Sequence, residues 1–93
     1  MGKFRVEVTK KARKQIVEHR KSGDKSSIKN IERILIELTT HPETGTGQPE
    51  KLKYELSGYW SRRINKKDRL IYSIDDNTVT VEVVSEMGHY LDR

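Results

Sequence analysis

The sequence predicts an α+β fold in which an antiparallel sheet, including an N-terminal strand, carries two helices on one face. Two observations predict it. Two successive segments of the first half have apolar residues at helical spacing and are joined by a short loop containing Gly23. One strand-like segment precedes them and three follow, in the order β-α-α-β-β-β. We expect this chain of 93 residues to form a single domain over residues 1–93.

The first strand and the first helix are predicted from KFRVEV and the segment after it. Alternation puts three apolar side chains on one face of the strand: Phe4, Val6 and Val8. Thr9 is the predicted N-cap of the helix, and Gly23 ends it. Ser26 or Ser27 is the predicted N-cap of the second helix. It ends at His41–Pro42, because proline restricts the residue before it and cannot continue the turn.

The second half of the chain begins with PETGTGQPEK, whose Gly and Pro content predicts a loop. Three strands are predicted after it: Gly58–Ile64, Arg69–Ile74 and Thr78–Ser85. A turn over Asn65–Asp68 predicts three cross-strand pairs: Ile64 with Arg69, Arg62 with Ile71, and Trp60 with Ser73. If Ile74 also lies opposite Val79, the helix-covered face carries Leu70, Tyr72, Ile74, Val79, Val81 and Val83.

This register places Trp60, Arg62 and Arg69 on the uncovered face, and Arg63 at the rim of the covered one. Two guanidinium groups beside an indole on an open sheet are typical of a nucleic-acid surface, through phosphate contact and base stacking. The alternative is that Trp60 and Ile71 form a small second core that the arginines shield.

The charge distribution supports a polyanionic partner. The net charge is +5, and residues 1–25 hold nine Lys or Arg against three acidic residues. The alternative interpretation is a solvated basic helix face. The absence of cysteine excludes disulfides and thiolate metal sites, and no zinc or phosphate-loop motif is present. Without a long apolar run or a signal-peptide pattern, we expect a cytoplasmic protein without a membrane partner.

Three separated residues together have the chemistry of metal-free RNA cleavage. A carboxylate (Glu50) can take the proton from a ribose 2′-OH, which then attacks the adjacent phosphorus. A guanidinium (Arg69) can stabilise the phosphoryl oxygens, and an imidazolium (His89) can protonate the departing 5′ oxygen. The required 2′-OH restricts such a site to RNA.

The stretch GQPEKLKYELSGYWSRRINKKDRLIYSI, followed by GHY, resembles the Txe/YoeB branch of the RelE-like toxins of bacterial type II toxin–antitoxin pairs. The resemblance is close from Pro42 to Tyr90. It implies a RelE-like fold and a ribosome-dependent endoribonuclease that cleaves mRNA in the decoding A site. By matching position, Glu50 is the general base, Arg69 stabilises the phosphate and His89 is the general acid. Tyr90 stacks on or positions the RNA.

The resemblance also implies RNA-backbone contacts by Lys53 and Arg62. Trp60 is predicted as an RNA-binding residue from the register alone, which places it beside the arginines. It implies no metal and no other cofactor. The expected partners are the ribosome with its A-site mRNA and a YefM/Axe-type antitoxin, with operator DNA contacted only through that antitoxin. A homodimer or a toxin–antitoxin hetero-oligomer is expected. In contrast to members that end at the His–Tyr pair, Leu91–Arg93 follow it here.

Two alternative functions use the same scaffold. One is a toxin that poisons gyrase by binding, although the joint presence of Glu50, Arg69 and His89 argues against it. The other is a non-catalytic RNA-binding module, which would bind RNA tightly and salt-sensitively without cleaving it.

Overall fold

The computed structural model describes residues 3–86, and it has the predicted α+β architecture. The elements, in chain order, are β1 (Arg5–Val8), α1 (Lys10–Ser22), α2 (Lys25–Glu37), β2 (Glu50–Lys51), a 3₁₀ turn (Tyr54–Leu56), β3 (Tyr59–Arg63), β4 (Asp68–Asp75) and β5 (Thr78–Glu86). Neither α1 nor α2 is long and apolar enough to span a membrane, and no other helix within residues 3–86 is.

The strands form one sheet in the order β1-β5-β4-β3-β2. The sheet is mixed rather than purely antiparallel, because β1 runs parallel to its neighbour β5. The other three pairs are antiparallel: β3–β4 and β4–β5, as predicted, and β2–β3, which was not predicted. The edge strand β2 consists of the last two residues of the run that was predicted to be a loop.

The helix ends follow from local hydrogen bonds. Thr9 caps α1 as predicted, since its hydroxyl accepts from the Ala12 amide at 3.1 Å. Gly23 ends α1 with a φ of 80°, a left-handed conformation that glycine adopts without strain. The N-cap of α2 is Asp24 rather than a serine. Hydrogen bonds from the Ser27 hydroxyl and amide to this carboxylate lower the pKa of Asp24.

The main core lies between the two helices and one face of the sheet. It contains three fully or almost fully buried residues of α2 and its C-cap, Ile31, Ile34 and Leu38, together with Ala12 of α1. The sheet contributes Leu70, Tyr72, Val79, Val81 and Val84, and Ile64 joins them from the turn after β3. A smaller cluster of Ile71 and Val83, with Leu52 and Tyr59 packed against it, lies on the other face. The predicted arrangement, with both helices on one face, is therefore confirmed.

The register of the β3–β4 hairpin differs from the prediction by one residue. Trp60 lies opposite Tyr72 and Arg62 opposite Leu70. The turn closes one residue earlier than predicted, because the Asn65 side chain accepts from the amides of Lys67 and Asp68 at 2.9 and 2.8 Å. Asp68 consequently begins β4. A shift of one residue moves every side chain of β3 to the opposite face.

The β4–β5 pair contains an irregularity that also changes the core. Ile74 lies opposite Val79, as predicted. Between Ile71 and Tyr72 the register shifts, so that the residues opposite them are Val83 and Val81. Val83 therefore joins Ile71 on the uncovered face, and the next residue of β5 takes its place in the main core. The prediction that Val83 faces the helices was wrong.

Candidate active site

Glu50 and Arg69 meet on the uncovered face of the sheet. β2 places Glu50 opposite Ser61 of β3, and Arg69 comes from the adjacent strand β4. The Arg69 Nη1 atom lies 3.6 Å from Glu50 Oε1 and donates to Ser61 Oγ at 3.4 Å. The Glu50 side chain is 66% exposed, whereas that of Arg69 is 23% exposed. A solvent-accessible carboxylate and a partly buried guanidinium are thus held side by side.

Arg63 is a residue of this face that the sequence prediction missed. It lies directly opposite Arg69 in the β3–β4 pair, and it is exposed. Its predicted place on the covered side depended on the incorrect hairpin register. The signal that could have located it is Asn65, whose Asx-type turn closes the loop at Asp68.

Arg62 does not lie on the uncovered face, and the prediction that placed it there was wrong. Its side chain is fully buried on the helix side of the sheet. Its Nη1 atom donates to Glu37 Oε1 at 2.6 Å, and Nε donates to the Tyr72 hydroxyl at 3.2 Å. A buried guanidinium engaged in this way is inaccessible to an RNA backbone. The predicted RNA contact by Arg62 therefore has no structural basis.

Trp60 also lies on the helix side, because the one-residue shift moves it together with Arg62. Its half-buried indole packs against the main core. The predicted stacking platform beside Arg69 is therefore absent from the uncovered face. Exposed aromatic surface occurs instead at Tyr54, which is 90% exposed in the turn after β2.

Lys53, His89 and Tyr90 complete the set of predicted site residues. Lys53 is exposed and is the N-cap residue of the 3₁₀ turn, two residues after β2. His89 and Tyr90 lie outside the described residues, which end at Glu86. Their predicted roles stay predictions.

A shallow cavity of about 380 Å³ lies on the same face of the sheet. Ile71 and Val83, which are almost fully buried, and Tyr59 form its apolar floor, and Lys11, Glu55 and Glu82 contribute polar groups around it. The uncovered face thus combines an apolar depression with the Glu50–Arg69 pair. Within residues 3–86, no group of three or more His, Cys, Asp or Glu side chains is placed to hold a metal ion.

Comparison with known proteins identifies the family. A family model described as the YoeB-like toxin of the bacterial type II toxin–antitoxin system matches residues 9–90. The chain belongs to this family. Toxin YoeB of Synechocystis is 43% identical over 68 residues, which cover 73% of this chain and 77% of that protein. Toxin YoeB of Escherichia coli K12 is 40% identical over 58 residues, covering 62% of this chain and 69% of the relative.

Solved structures of YoeB proteins share the fold. A YoeB dimer from Staphylococcus aureus matches with a TM-score of 0.74 and 32% identity, covering 89% of this chain and 95% of that one. A heterotetrameric YoeB–YefM toxin–antitoxin complex from the same species matches with a TM-score of 0.74, 32% identity and coverage of 88% and 94%. The recognition of a RelE-like toxin from GQPEKLKYELSGYWSRRINKKDRLIYSI is thereby confirmed.

Proposed function

We propose that this YoeB-family toxin is a ribosome-dependent endoribonuclease that cleaves mRNA in the A site. The observation that carries the proposal is the pairing of Glu50 with Arg69 on an uncovered sheet face, 3.6 Å apart. The two residues are 19 positions apart in the sequence, and the β2–β3–β4 pairing brings them together. A carboxylate and a guanidinium in contact are two of the three groups that the cleavage reaction needs.

Glu50 acts as the general base. Its exposed carboxylate accepts the proton of the ribose 2′-OH, and the 2′ oxygen forms a bond to the adjacent phosphorus. The bond from phosphorus to the 5′ oxygen breaks, which leaves a 2′,3′-cyclic phosphate on one fragment. His89 donates a proton to the departing oxygen, so that the other fragment ends in a 5′-hydroxyl.

Arg69 stabilises the negative charge that develops on the phosphoryl oxygens. Ser61 and Glu50 hold its guanidinium near the sheet surface before RNA binds. Because the distance to Glu50 is long for a hydrogen bond, the scissile phosphate can compete for the same nitrogen. Loss of a group that stabilises transition-state charge typically lowers the rate by about 10²–10³-fold.

The residues around this pair supply RNA binding. Lys53 and Arg63 are both exposed and lie between Glu50 and Arg69 in the sequence, and their charges fit phosphates next to the one that is cleaved. Tyr90 stacks on or positions the RNA, as the resemblance implies. The basic surface of α1 contacts ribosomal RNA.

The cognate inhibitor is an antitoxin of the YefM type. The Staphylococcus aureus relatives were solved both as a dimer and as a YoeB–YefM heterotetramer, which supports a toxin–antitoxin hetero-oligomer for this chain. Operator DNA is contacted through the antitoxin. Residues 1–93 act as a single toxin domain.

The decisive experiment is primer extension on mRNA in a translating extract with Glu50→Gln. The matched control is Glu32→Gln, because Glu32 forms an exposed ion pair with Arg20 at the same distance of 3.6 Å. Wild type and the control should produce cuts at A-site codons, and Glu50→Gln should cut about 10²–10⁴-fold more slowly. Equal cleavage by Glu50→Gln would overturn the proposal. So would wild-type inhibition of gyrase supercoiling with intact mRNA.

A further inference from the structure

The buried guanidinium of Arg62 uses every hydrogen-bond donor that it has. An arginine side chain has five N–H groups. Nε donates to the Tyr72 hydroxyl, and Nη1 donates to Glu37 and also to the Thr46 carbonyl at 3.4 Å. Nη2 donates to the carbonyls of His41 and Thr44 at 2.8 and 2.7 Å. Arg62 therefore has no donor left for a substrate, and any effect that it has on catalysis must act through other residues.

Three of these acceptors belong to one loop, residues His41–Gly47, which we call the clasp loop. The loop is also held by the two side chains that bind Arg62. Tyr72 Oη donates to the Pro42 carbonyl at 2.5 Å. Glu37 accepts from the Thr46 amide and hydroxyl at 2.8 and 2.7 Å.

The clasp loop packs closely against these side chains and β3 at its two glycines. A Cβ atom added at Gly45 would lie 2.3 Å from Glu37 Oε1 and 3.1 Å from Arg62 Nη1. A Cβ atom at Gly47 would lie 2.6 Å from the Arg63 carbonyl oxygen. Both glycines also have positive φ angles, of 121° and 85°. The backbone of the loop is thus fitted closely around the guanidinium and β3.

The clasp loop leads directly to the proposed general base. The Gly47 carbonyl accepts from the Arg63 amide at 2.7 Å, and Glu50 follows three residues later as the first residue of β2. Because β2 has only two residues, its own ladder provides little restraint. The position of Glu50 therefore depends on the clasp loop before it. After it, the backbone is held by a hydrogen bond of 2.9 Å from the Leu52 amide to the Tyr59 carbonyl.

We propose that Arg62 is a positioning residue for Glu50: its buried guanidinium, with Glu37 and Tyr72, fixes the clasp loop and thereby the distance of the base from Arg69. This inference rests on the proposed endoribonuclease function. A misplacement of a reacting group by about 1 Å can lower a rate by about 100-fold. Arg62 thus acts on the chemical step without touching RNA, in contrast to its neighbour Arg63.

The test combines one measurement of the loop with one of the reaction. The variants are Arg62→Lys, which retains charge but has three donors, and Gly45→Ala, whose added Cβ forces the loop away from Glu37 and Arg62 while position 62 keeps its arginine. The stability control is Val79→Ala, a fully buried residue on the β1 side of the sheet. Amide hydrogen exchange reports on Thr46, Leu52 and Arg63. Single-turnover cleavage on mRNA-programmed ribosomes gives the maximal rate and the half-saturating ribosome concentration, normalised to antitoxin-binding toxin.

Both Arg62→Lys and Gly45→Ala should lose exchange protection at Thr46 and Arg63, and less at Leu52, whose amide bonds Tyr59 beyond the loop. The amide of Val81, in the central strand β5, is the reference and should stay protected. Their maximal rate should fall about 10–100-fold with little change in the half-saturating concentration. Val79→Ala should keep the wild-type rate per folded molecule. Unchanged rates in folded Arg62→Lys and Gly45→Ala would overturn the inference, as would unchanged loop protection. If wild type itself does not cleave, the proposed function fails. A loss of exchange protection in the two variants would still show that Arg62 fixes the clasp loop.

Discussion

Arg62 and Arg63 are neighbours in the sequence and have opposite environments. The first is fully buried against Glu37 and Tyr72, and the second is exposed opposite Arg69. The difference arises from strand geometry alone, because successive side chains of β3 point to opposite faces of the sheet. The covered face uses an arginine to hold the structure together, and the uncovered face uses arginines where RNA is proposed to bind. The two consecutive arginines therefore have different roles.

Arg62→Met should cause the largest effect of all, a loss of folding stability. It removes the guanidinium that donates to Glu37 and to three loop carbonyls, and breaking a buried ion pair costs about 3–5 kcal/mol. Urea unfolding followed by circular dichroism measures the change. Arg63→Met is the matched control and should stay within about 0.5 kcal/mol of wild type. Equal losses in the two variants would contradict the contrast between the faces.

Arg69→Gln should have the largest effect on cleavage with little effect on folding. Its partly exposed guanidinium has two weak partners, Glu50 and Ser61, at 3.6 and 3.4 Å. The single-turnover rate on programmed ribosomes should fall about 10²–10³-fold. The midpoint of urea unfolding should remain close to that of wild type. A wild-type cleavage rate in this variant would remove Arg69 from the site.

Arg63→Ala should have a smaller effect than Arg69→Gln. It should weaken RNA binding and leave the chemical step unchanged. The loss of one phosphate contact should lower the slope of log K against log salt concentration by about one. Binding to ribosomes or to a non-cleavable mRNA, measured over a range of salt concentrations, tests this. Lys66→Ala, which removes a turn lysine, is the matched control. An unchanged salt slope in Arg63→Ala would place Arg63 outside the RNA path.

The smallest predicted effect is a pH dependence of the unfolding free energy that comes from Glu37, which holds the clasp loop. Burial raises the pKa of Glu37, but hydrogen bonds from Thr46 and Arg62 outweigh it, so the pKa lies below its ordinary value of 4.5. The stabilisation from this ionised carboxylate is therefore complete above pH 4.5 and decreases as the pH falls through the folded-state pKa. Unfolding free energies of wild type and Glu37→Gln should converge below pH 4.5. A constant difference between them would contradict the proposed clasp.

The sequence predicted the α+β class, both helices, the Thr9 cap and the Ile74–Val79 pairing, because each depends on local pattern or turn chemistry. It placed Arg69 on the correct face. It misplaced Trp60 and Arg62, because the hairpin register depended on whether Asp68 belongs to the turn or to β4. The side chain of Asn65 decides that question.

The remaining differences have a tertiary origin. The parallel pairing of β1 depends on the path of the chain across the two helices, and no segment encodes that path by itself. The register shift at Ile71/Tyr72 exchanges Val83 for its neighbour in the core, and both residues are valines, so hydrophobic pattern does not separate them. The clasp around Arg62 combines groups from α2, the loop and two strands.

The central claim is that Glu50 and Arg69 form one catalytic site. The most direct test is a double-mutant cycle of single-turnover mRNA cleavage with Glu50→Gln, Arg69→Gln and the double variant. Residues that act as a unit in one transition state are strongly non-additive, so the double variant should lose little more than the more damaging single variant. A double-variant loss equal to the product of the two single losses would show that the two residues act independently, and would contradict the account.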